Sequence, residues 1–171
     1  AGIYYPTGSL KARFCVEGKE RLYRFCAENG VGFEQIGKLI VASNNDQLEQ
    51  LQSIRRKAAE NGVTDLVFLD QDSLNEAEPE LACTGALHSP STGIVDSHGF
   101  MLALQGELEA NGGQVVLNTR VARLERLADG GYRVHAETEG TETYALTCKE
   151  LILSAGHGAP ALAAGLEGAN P

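Results

Sequence analysis

Positive charge is what this 171-residue chain is short of: 14 lysines and arginines stand against 23 aspartates and glutamates, a formal net charge of -9. Nucleic acid and anionic membrane both disfavour an acidic surface, so neither is expected as a partner. A site for an acidic metabolite must then concentrate its few cations locally. Long apolar runs are missing as well. None reaches the roughly 20 residues that span a bilayer, and no basic-then-apolar start marks a signal peptide, so a cytosolic protein is expected. The cysteines, Cys15, Cys26, Cys83 and Cys148, lack any C-x-x-C spacing, which leaves a zinc or iron-sulfur site without support. Cys15 and Cys26 fall on one predicted helix, roughly 16 Å apart along its axis and beyond disulfide reach, so buried thiols are the expected reading. There is no internal repeat, no low-complexity linker and no methionine at position 1. The apolar, aromatic start and the Gly/Ala-rich end suggest an internal piece of a longer chain.

What is present is an ordinary foldable composition, 43% apolar and 22% charged, with room for one domain and a small part of a second. Ser9 is placed to cap a helix on which Leu10, Phe14, Cys15, Leu22, Phe25 and Cys26 recur at helical spacing, closed by Asn29-Gly30. Residues 33–42 read as one buried strand, with Lys38 entering just before the apolar run, so that its ammonium must snorkel to water or meet an anion. A second helix is expected from Asp46, with Glu49 completing a capping box and Leu48, Leu51, Ile54 and Ala58 on its inner face. A strand over 66–69 and a helical turn over 72–75 precede Pro79. A third helix follows residue 96, with Phe100, Ala103, Leu104 and Leu108 inward and Asn111-Gly112-Gly113 as its stop. Short strands are then expected at 115–117, 121–127, 132–138 and 143–147, with turns at Asp129-Gly130-Gly131 and Glu139-Gly140, and a last one at 151–153. The fold class is α+β, a mixed or antiparallel sheet with packed helices.

The stretch 88–98, His-Ser-Pro-Ser-Thr-Gly-Ile-Val-Asp-Ser-His, concentrates the polar chemistry. Loops of this composition position reacting groups. His88, Asp96 and His98 are a possible ligand set for a metal, but no helical His-x-x-x-His spacing fixes them and a fourth ligand is missing, so no metal is expected. A nucleophile system of Ser89, His98 and Asp96 lacks the G-x-S-x-G elbow. Asp96 or Ser97 reads more simply as the cap of the following helix, and Gly93 as a position needing positive φ or a close backbone approach. Tyr4 and Tyr5 point in opposite directions if extended, so one is free to offer its hydroxyl to a site. Gly156-His157-Gly158-Ala159-Pro160-Ala161 fits the G-x-G-x-x-A pattern of dinucleotide sites, yet no second strand or acidic ribose partner follows it.

Four segments carry a resemblance: Ala-Gly-Ile-Tyr-Tyr-Pro-Thr-Gly-Ser-Leu-Lys-Ala-Arg (1–13), Gly-Lys-Leu-Ile-Val-Ala (37–42), Glu-Pro-Glu-Leu (78–81) and Ser-Pro-Ser-Thr-Gly-Ile-Val-Asp (89–96). With Leu-Ile-Leu-Ser-Ala-Gly-His (151–157), they make nearly the whole chain resemble the FAD-dependent oxidoreductases of the D-amino-acid-oxidase-like superfamily, and most closely the L-2-hydroxyglutarate dehydrogenase/oxidase group. The resemblance implies that residues 1–112 are mainly substrate-binding domain, and that 113–171 are a meander and strand of an interrupted FAD-binding domain. It implies oxidation of a 2-hydroxy acid to the 2-oxo acid by hydride transfer to FAD. Tyr4, Lys38 and Thr92 would hold the substrate, with Val121, Ala155 and Gly156 at the cofactor and no metal. The family's glycine-rich flavin fingerprint and a histidine lie before the segment matching Ala1, so the catalytic group is expected there. The piece alone is expected to retain no flavin and to be inactive. Ser154 replaces the family's usual Asn or Ala, and His98 stands where relatives often carry arginine. A cytoplasmic place is implied, with peripheral attachment to the inner membrane as the alternative, and the electron acceptor is left open. The competing readings are a flavin-free binding or assembly domain, and a flavoenzyme of the same superfamily acting on an amino acid or glycerol 3-phosphate.

Overall fold

The structure, a computed structural model, describes residues 2–138 and 143–166. The chain divides into two compact units, Ala1–Gly112 and Gly113–Pro171.

In the first unit, helix α1 (Leu10–Glu28) starts where expected, with the Ser9 side chain accepting from the Ala12 N–H. Its inner face is narrower than the periodicity suggests: Ala12 and Cys26 are buried, whereas Leu10 and Phe14 are 66% and 58% exposed. All four cysteines are free thiols, but only Cys26 is buried and the others are half-buried. The expected strand at 33–42 is two strands, β1 (Phe33–Glu34) and β2 (Leu39–Ala42), in different sheets. Gly37, at φ 76°, turns the chain between them, into a left-handed conformation that breaks an extended run. Helix α2 (Asn45–Glu60) begins one residue before Asp46, and its cap is Asn44 rather than Asp46. The Asn44 side chain accepts from Gln47 N–H, and in the reciprocal bond Ser43 N–H donates to Gln47 Oε1, so Glu49 completes no capping box.

Strand β3 (Val67–Leu69) and helix α3 (Gln71–Ala77), capped by Asp70, lead to β4 (Gly85–His88), which periodicity did not reveal. β4 is the central strand of the antiparallel sheet β2-β4-β3, and with Ala86 and Leu87 both fully buried it has no polar face to alternate with. α2 lies over β2 and β4. Between them Ile3, Ala42, Leu51, Ala58, Val63, Leu66 and Leu87 form the core, with Leu48 and Ile54 of α2 packed against it. β5 (Ile94–Val95) pairs with β1 and delivers the chain into α4 (Ser97–Ala110). α4 buries less than expected. Phe100 and Ala103 are half-buried, with Phe100 meeting Phe25 edge-on at 5.4 Å, but Leu104 and Leu108 are exposed alongside Met101 and Leu102.

The second unit is the expected antiparallel meander, β6 (Thr119–Arg126), β7 (Tyr132–Thr138) and β8 (Tyr144–Cys148) in that order. Leu124, Val134 and Ala136 fill its inner side. On its outer side Glu125 receives Arg123, Arg133 and His135. The Asp129-Gly130-Gly131 turn forms as expected, and the Glu139-Gly140 turn lies outside the described residues. Residues 115–117 and 151–153 are not strands. Each is an apolar run to which no neighbour, among the described residues, offers a ladder of backbone hydrogen bonds, and Ile152 is 89% exposed. A single 3₁₀ turn (Gly156–Gly158) and a short helix α5 (Ala159–Ala163) follow.

Asp96 caps α4 as expected, its Oδ1 accepting from the N–H groups of His98 and Gly99 at 3.1 and 3.0 Å. Asp96→Ala is expected to lower stability by about 1 kcal/mol through loss of that cap, measured as a lower denaturant midpoint with an unchanged slope.

Candidate functional site

The site is built at the end of the β2–β4 pair where the chain enters β2 and leaves β4. Ile3 is buried in the core, and Asn61 at the end of α2 donates through Nδ2 to the carbonyls of Gly2 and Tyr5, at 2.9 and 3.0 Å. This fixes the N-terminal segment so that Tyr4 faces outward and Tyr5 is half-buried, with Lys11 Nζ 4.5 Å from the Tyr5 ring centroid. The Tyr4 ring then lies under the Lys38 ammonium, Nζ 5.1 Å from its centroid, a cation–π contact. Lys38 therefore resolves its position at the sheet edge by remaining exposed against an aromatic face. Among the described residues no carboxylate forms an ion pair with it. Its charge is available. Tyr4 also lines a cleft of about 230 Å³ with Ile3, Gln50, Ser53, Ile54 and Lys57.

Backbone bonds tie Lys38 to the polar loop. Lys38 N–H donates to the Ser89 carbonyl and Ser89 N–H to the Lys38 carbonyl, at 3.1 and 2.8 Å, while Gly37 N–H donates to the Thr92 carbonyl at 2.9 Å. Ser89, 1% exposed, shares a 3.0 Å hydrogen bond between its Oγ and Thr92 Oγ1. Of the three residues expected to act together, Tyr4 and Lys38 thus meet through their side chains, and Thr92 is tied to the same corner through the Gly37 backbone and the Ser89 side chain. Gly37 serves that corner twice, because a Cβ there would also sit 2.6 Å from His88 Nε2.

The metal and triad constellations do not form. No group of metal-ligating side chains is present among the described residues, Asp96 is occupied as a cap, and the side-chain partner of Ser89 is Thr92 rather than a histidine. Three residues that periodicity did not mark lie against the loop instead. Lys19 Nζ donates to Ser91 Oγ at 2.7 Å and the Tyr23 hydroxyl donates to the Ser91 carbonyl at 3.0 Å. Asp65 completes the group: burial pushes its carboxyl up, but the Ser91 hydroxyl, the Lys19 charge and the backbone N–H groups of Asp65 and Ser91 together outweigh burial and hold it below the ordinary aspartate range. The only sequence signal was that Lys19 and Tyr23 are four apart on one helix face, which is equally the pattern of a solvated surface.

In the second unit Val121 lies in β6 opposite Ala136, beside a bulge in the β6–β7 register. Ala155 and Gly156 open the 3₁₀ turn, and beyond its chain neighbours no described atom lies within 4 Å of where a Gly156 Cβ would be. Exposed strand backbone and an uncrowded glycine fit the approach of a flat cofactor. The G-x-G-x-x-A pattern at 156–161 forms no dinucleotide-type βαβ unit, since it leads into a helix of only five residues.

These elements can be compared with known proteins. A family model described as FAD dependent oxidoreductase matches residues 1–171, the whole chain. The chain belongs to this family. It is 37% identical, over 98% of its length, to the mitochondrial L-2-hydroxyglutarate dehydrogenase of Arabidopsis thaliana, and 33% identical, over 76% of its length, to the L-2-hydroxyglutarate dehydrogenase of Escherichia coli K12. It spans 40% and 31% of those two proteins. Among solved structures, an FAD-bound L-α-glycerophosphate oxidase from Mycoplasma pneumoniae superimposes with a TM-score of 0.80 at 26% identity, covering 97% of this chain and 44% of the oxidase. A glycine oxidase from Geobacillus kaustophilus shares the fold with a TM-score of 0.73 at 18% identity, over 94% of this chain and 44% of its own. The α+β expectation and its assignment to a D-amino-acid-oxidase-like flavoenzyme hold for this FAD-dependent family member.

Two outcomes follow from the loop. A Cβ at Gly93 would lie 2.4 Å from the Glu34 carbonyl and 2.5 Å from the Tyr23 hydroxyl, so close approach rather than positive φ explains this glycine. Gly93→Ala should cost about 1–3 kcal/mol by forcing backbone apart, read as a lower melting temperature. For Asp65, whose folded-state pKa is lowered, the stabilisation is whole above the ordinary aspartate value and is lost as pH falls through the lowered one. Asp65→Asn should therefore melt with a flatter dependence on pH between about 5 and 3 than the unaltered protein, and parallel curves would reject this role.

Proposed function

We propose that the protein oxidises a 2-hydroxy dicarboxylate such as L-2-hydroxyglutarate to its 2-oxo acid, and that this chain supplies the substrate-binding domain, residues 1–112, with part of the FAD-binding domain in 113–171. The observation that carries the reading is the Lys38 ammonium over Tyr4, with no carboxylate partner among the described residues of an acidic chain, and with the adjacent Gly37 N–H bonded to the Thr92 carbonyl. The two dehydrogenase relatives support it. Because the chain spans 40% or less of those two, the activity of the whole protein belongs to the proposal.

In this reading Lys38 pairs with a substrate carboxylate, and the hydroxyls of Tyr4 and Thr92 orient it. The buried Ser89 hydroxyl can donate to Thr92 Oγ1, which leaves the Thr92 proton free to donate outward. Val121, Ala155 and Gly156 would line the cofactor through backbone atoms. FAD, when bound, supplies the acceptor for the substrate's hydride. The residue that removes the hydroxyl proton is placed outside this chain, and no electron acceptor is assigned. No helix among the described residues is long and apolar enough to cross a membrane. The proposed location is cytoplasmic, with peripheral attachment to the inner membrane as the alternative that fractionation would reveal.

Family membership weighs against a flavin-free assembly domain. The likeness to an FAD-bound glycerophosphate oxidase favours a second reading, in which Lys38 meets the phosphate of glycerol 3-phosphate, a substrate that likewise joins an anion to a hydroxyl-bearing carbon. Purified complete protein separates the two by turnover with each substrate, and absence of flavin absorbance would sink both. The 171 residues alone are proposed to hold no stoichiometric flavin and to be inactive. With the favoured substrate, Lys38→Met is expected to raise KM roughly ten- to hundredfold, the scale of one lost charge-assisted hydrogen bond, without lowering the melting temperature. Unchanged kinetics would remove Lys38 from the site.

A further inference from the structure

The loop that carries Thr92 is held from outside by α1, and the contacts are specific. Tyr23 is immobilised on one side by stacking on Phe33 of β1, ring centroids 5.2 Å apart at 28°, and its hydroxyl reaches past Gly93 to the Ser91 carbonyl at 3.0 Å. A side chain at 93 would block that path, its Cβ 2.5 Å from the hydroxyl. One turn earlier, half-buried Lys19 binds Ser91 Oγ at 2.7 Å. Ser91 is thus gripped at its carbonyl and at its side chain, and the next carbonyl, that of Thr92, is taken by the Gly37 N–H adjacent to Lys38.

We infer that Tyr23 and Lys19 are positioning residues: by fixing Ser91 they set the Thr92 hydroxyl relative to the Lys38 ammonium, and so govern how well an anionic hydroxy acid is held. The inference rests on the proposed role of Lys38 and Thr92 in substrate binding. A short displacement of one donor from its partner weakens binding without unfolding anything, because such bonds fail steeply with angle and distance. A residue serving packing alone would instead change stability and leave affinity untouched. Tyr23→Phe separates the two, since it keeps the ring against Phe33 and deletes only the hydroxyl.

The test uses the complete flavin-loaded protein and two readouts. In Tyr23→Phe and in Lys19→Met, KM for L-2-hydroxyglutarate should rise about three- to tenfold, the factor expected for one net hydrogen bond, with kcat within about twofold of the parent value. Hydrogen exchange at the Gly37 and Thr92 amides should speed by a similar factor while the α2 amides stay as they were. Lys19→Arg, which keeps a donor and a charge, should restore most of both. Unchanged KM and unchanged exchange in both variants would overturn the inference, as would a fall in melting temperature with neither readout altered. If the unaltered protein does not oxidise 2-hydroxyglutarate, the proposed substrate fails, and the exchange rates alone then decide whether the clamp exists.

Discussion

The register between β2 and β4 is the constraint on which the candidate site depends. Leu39 pairs with His88, and the reciprocal Lys38–Ser89 bonds carry the ladder one step further, to the point where the polar loop begins. Side chains in a strand alternate between faces, so Lys38, Ile40 and Ala42 share the face that packs with Ile3 and Leu87, and a slip of one residue would turn all three away from it. Lys38, one position before β2 begins, therefore stands at the rim of that apolar layer, where its ammonium reaches the ring of Tyr4, the neighbour of buried Ile3. Burial of Leu87, Ala42 and Ile3 therefore stabilises the sheet and, through the same pairing, selects which side of it carries the charge.

Placing a cation in water beside an aromatic face costs little desolvation, which is why a protein of net charge -9 can hold a lysine there with no carboxylate paired to it among the described residues. The neighbouring hydroxyls are arranged differently. Ser89 is fully enclosed and its bond to Thr92 satisfies it, so the polar group inside the fold serves the one at the surface. Charge is kept accessible and neutral hydrogen bonding is kept buried, each where its solvation cost is lower.

Helix caps and the meander were readable because their causes are local. Ser9 and Asp96 bond N–H groups two or three residues on, and the Asp129-Gly130-Gly131 turn brings adjacent strands together whatever else the chain does. The grouping of Tyr4, Lys38 and Thr92 came from the resemblance, and only the packing of Ile3 with the β2–β4 pairing supplies its geometry. Pairing with distant partners was not readable. β4 is enclosed between β2 and β3 and lacks an alternating pattern, Gly37 divides an apolar run into two sheets, and the runs at 115–117 and 151–153 have strand composition without strand neighbours. Lys19 and Tyr23 were hidden for a related reason: Ser91 lies 72 and 68 positions away from them, and nothing in α1 marks which of its polar residues meets a loop rather than water.

The uncovered apolar side of α4 has a colloidal consequence. Met101, Leu102, Leu104 and Leu108 stand exposed on one helix, and apolar side chains exposed together in this way favour self-association. Expression boundaries thus matter to solubility before they matter to chemistry: any piece that leaves this helix bare will tend toward clumping, and its yield will report how well the helix is sheathed.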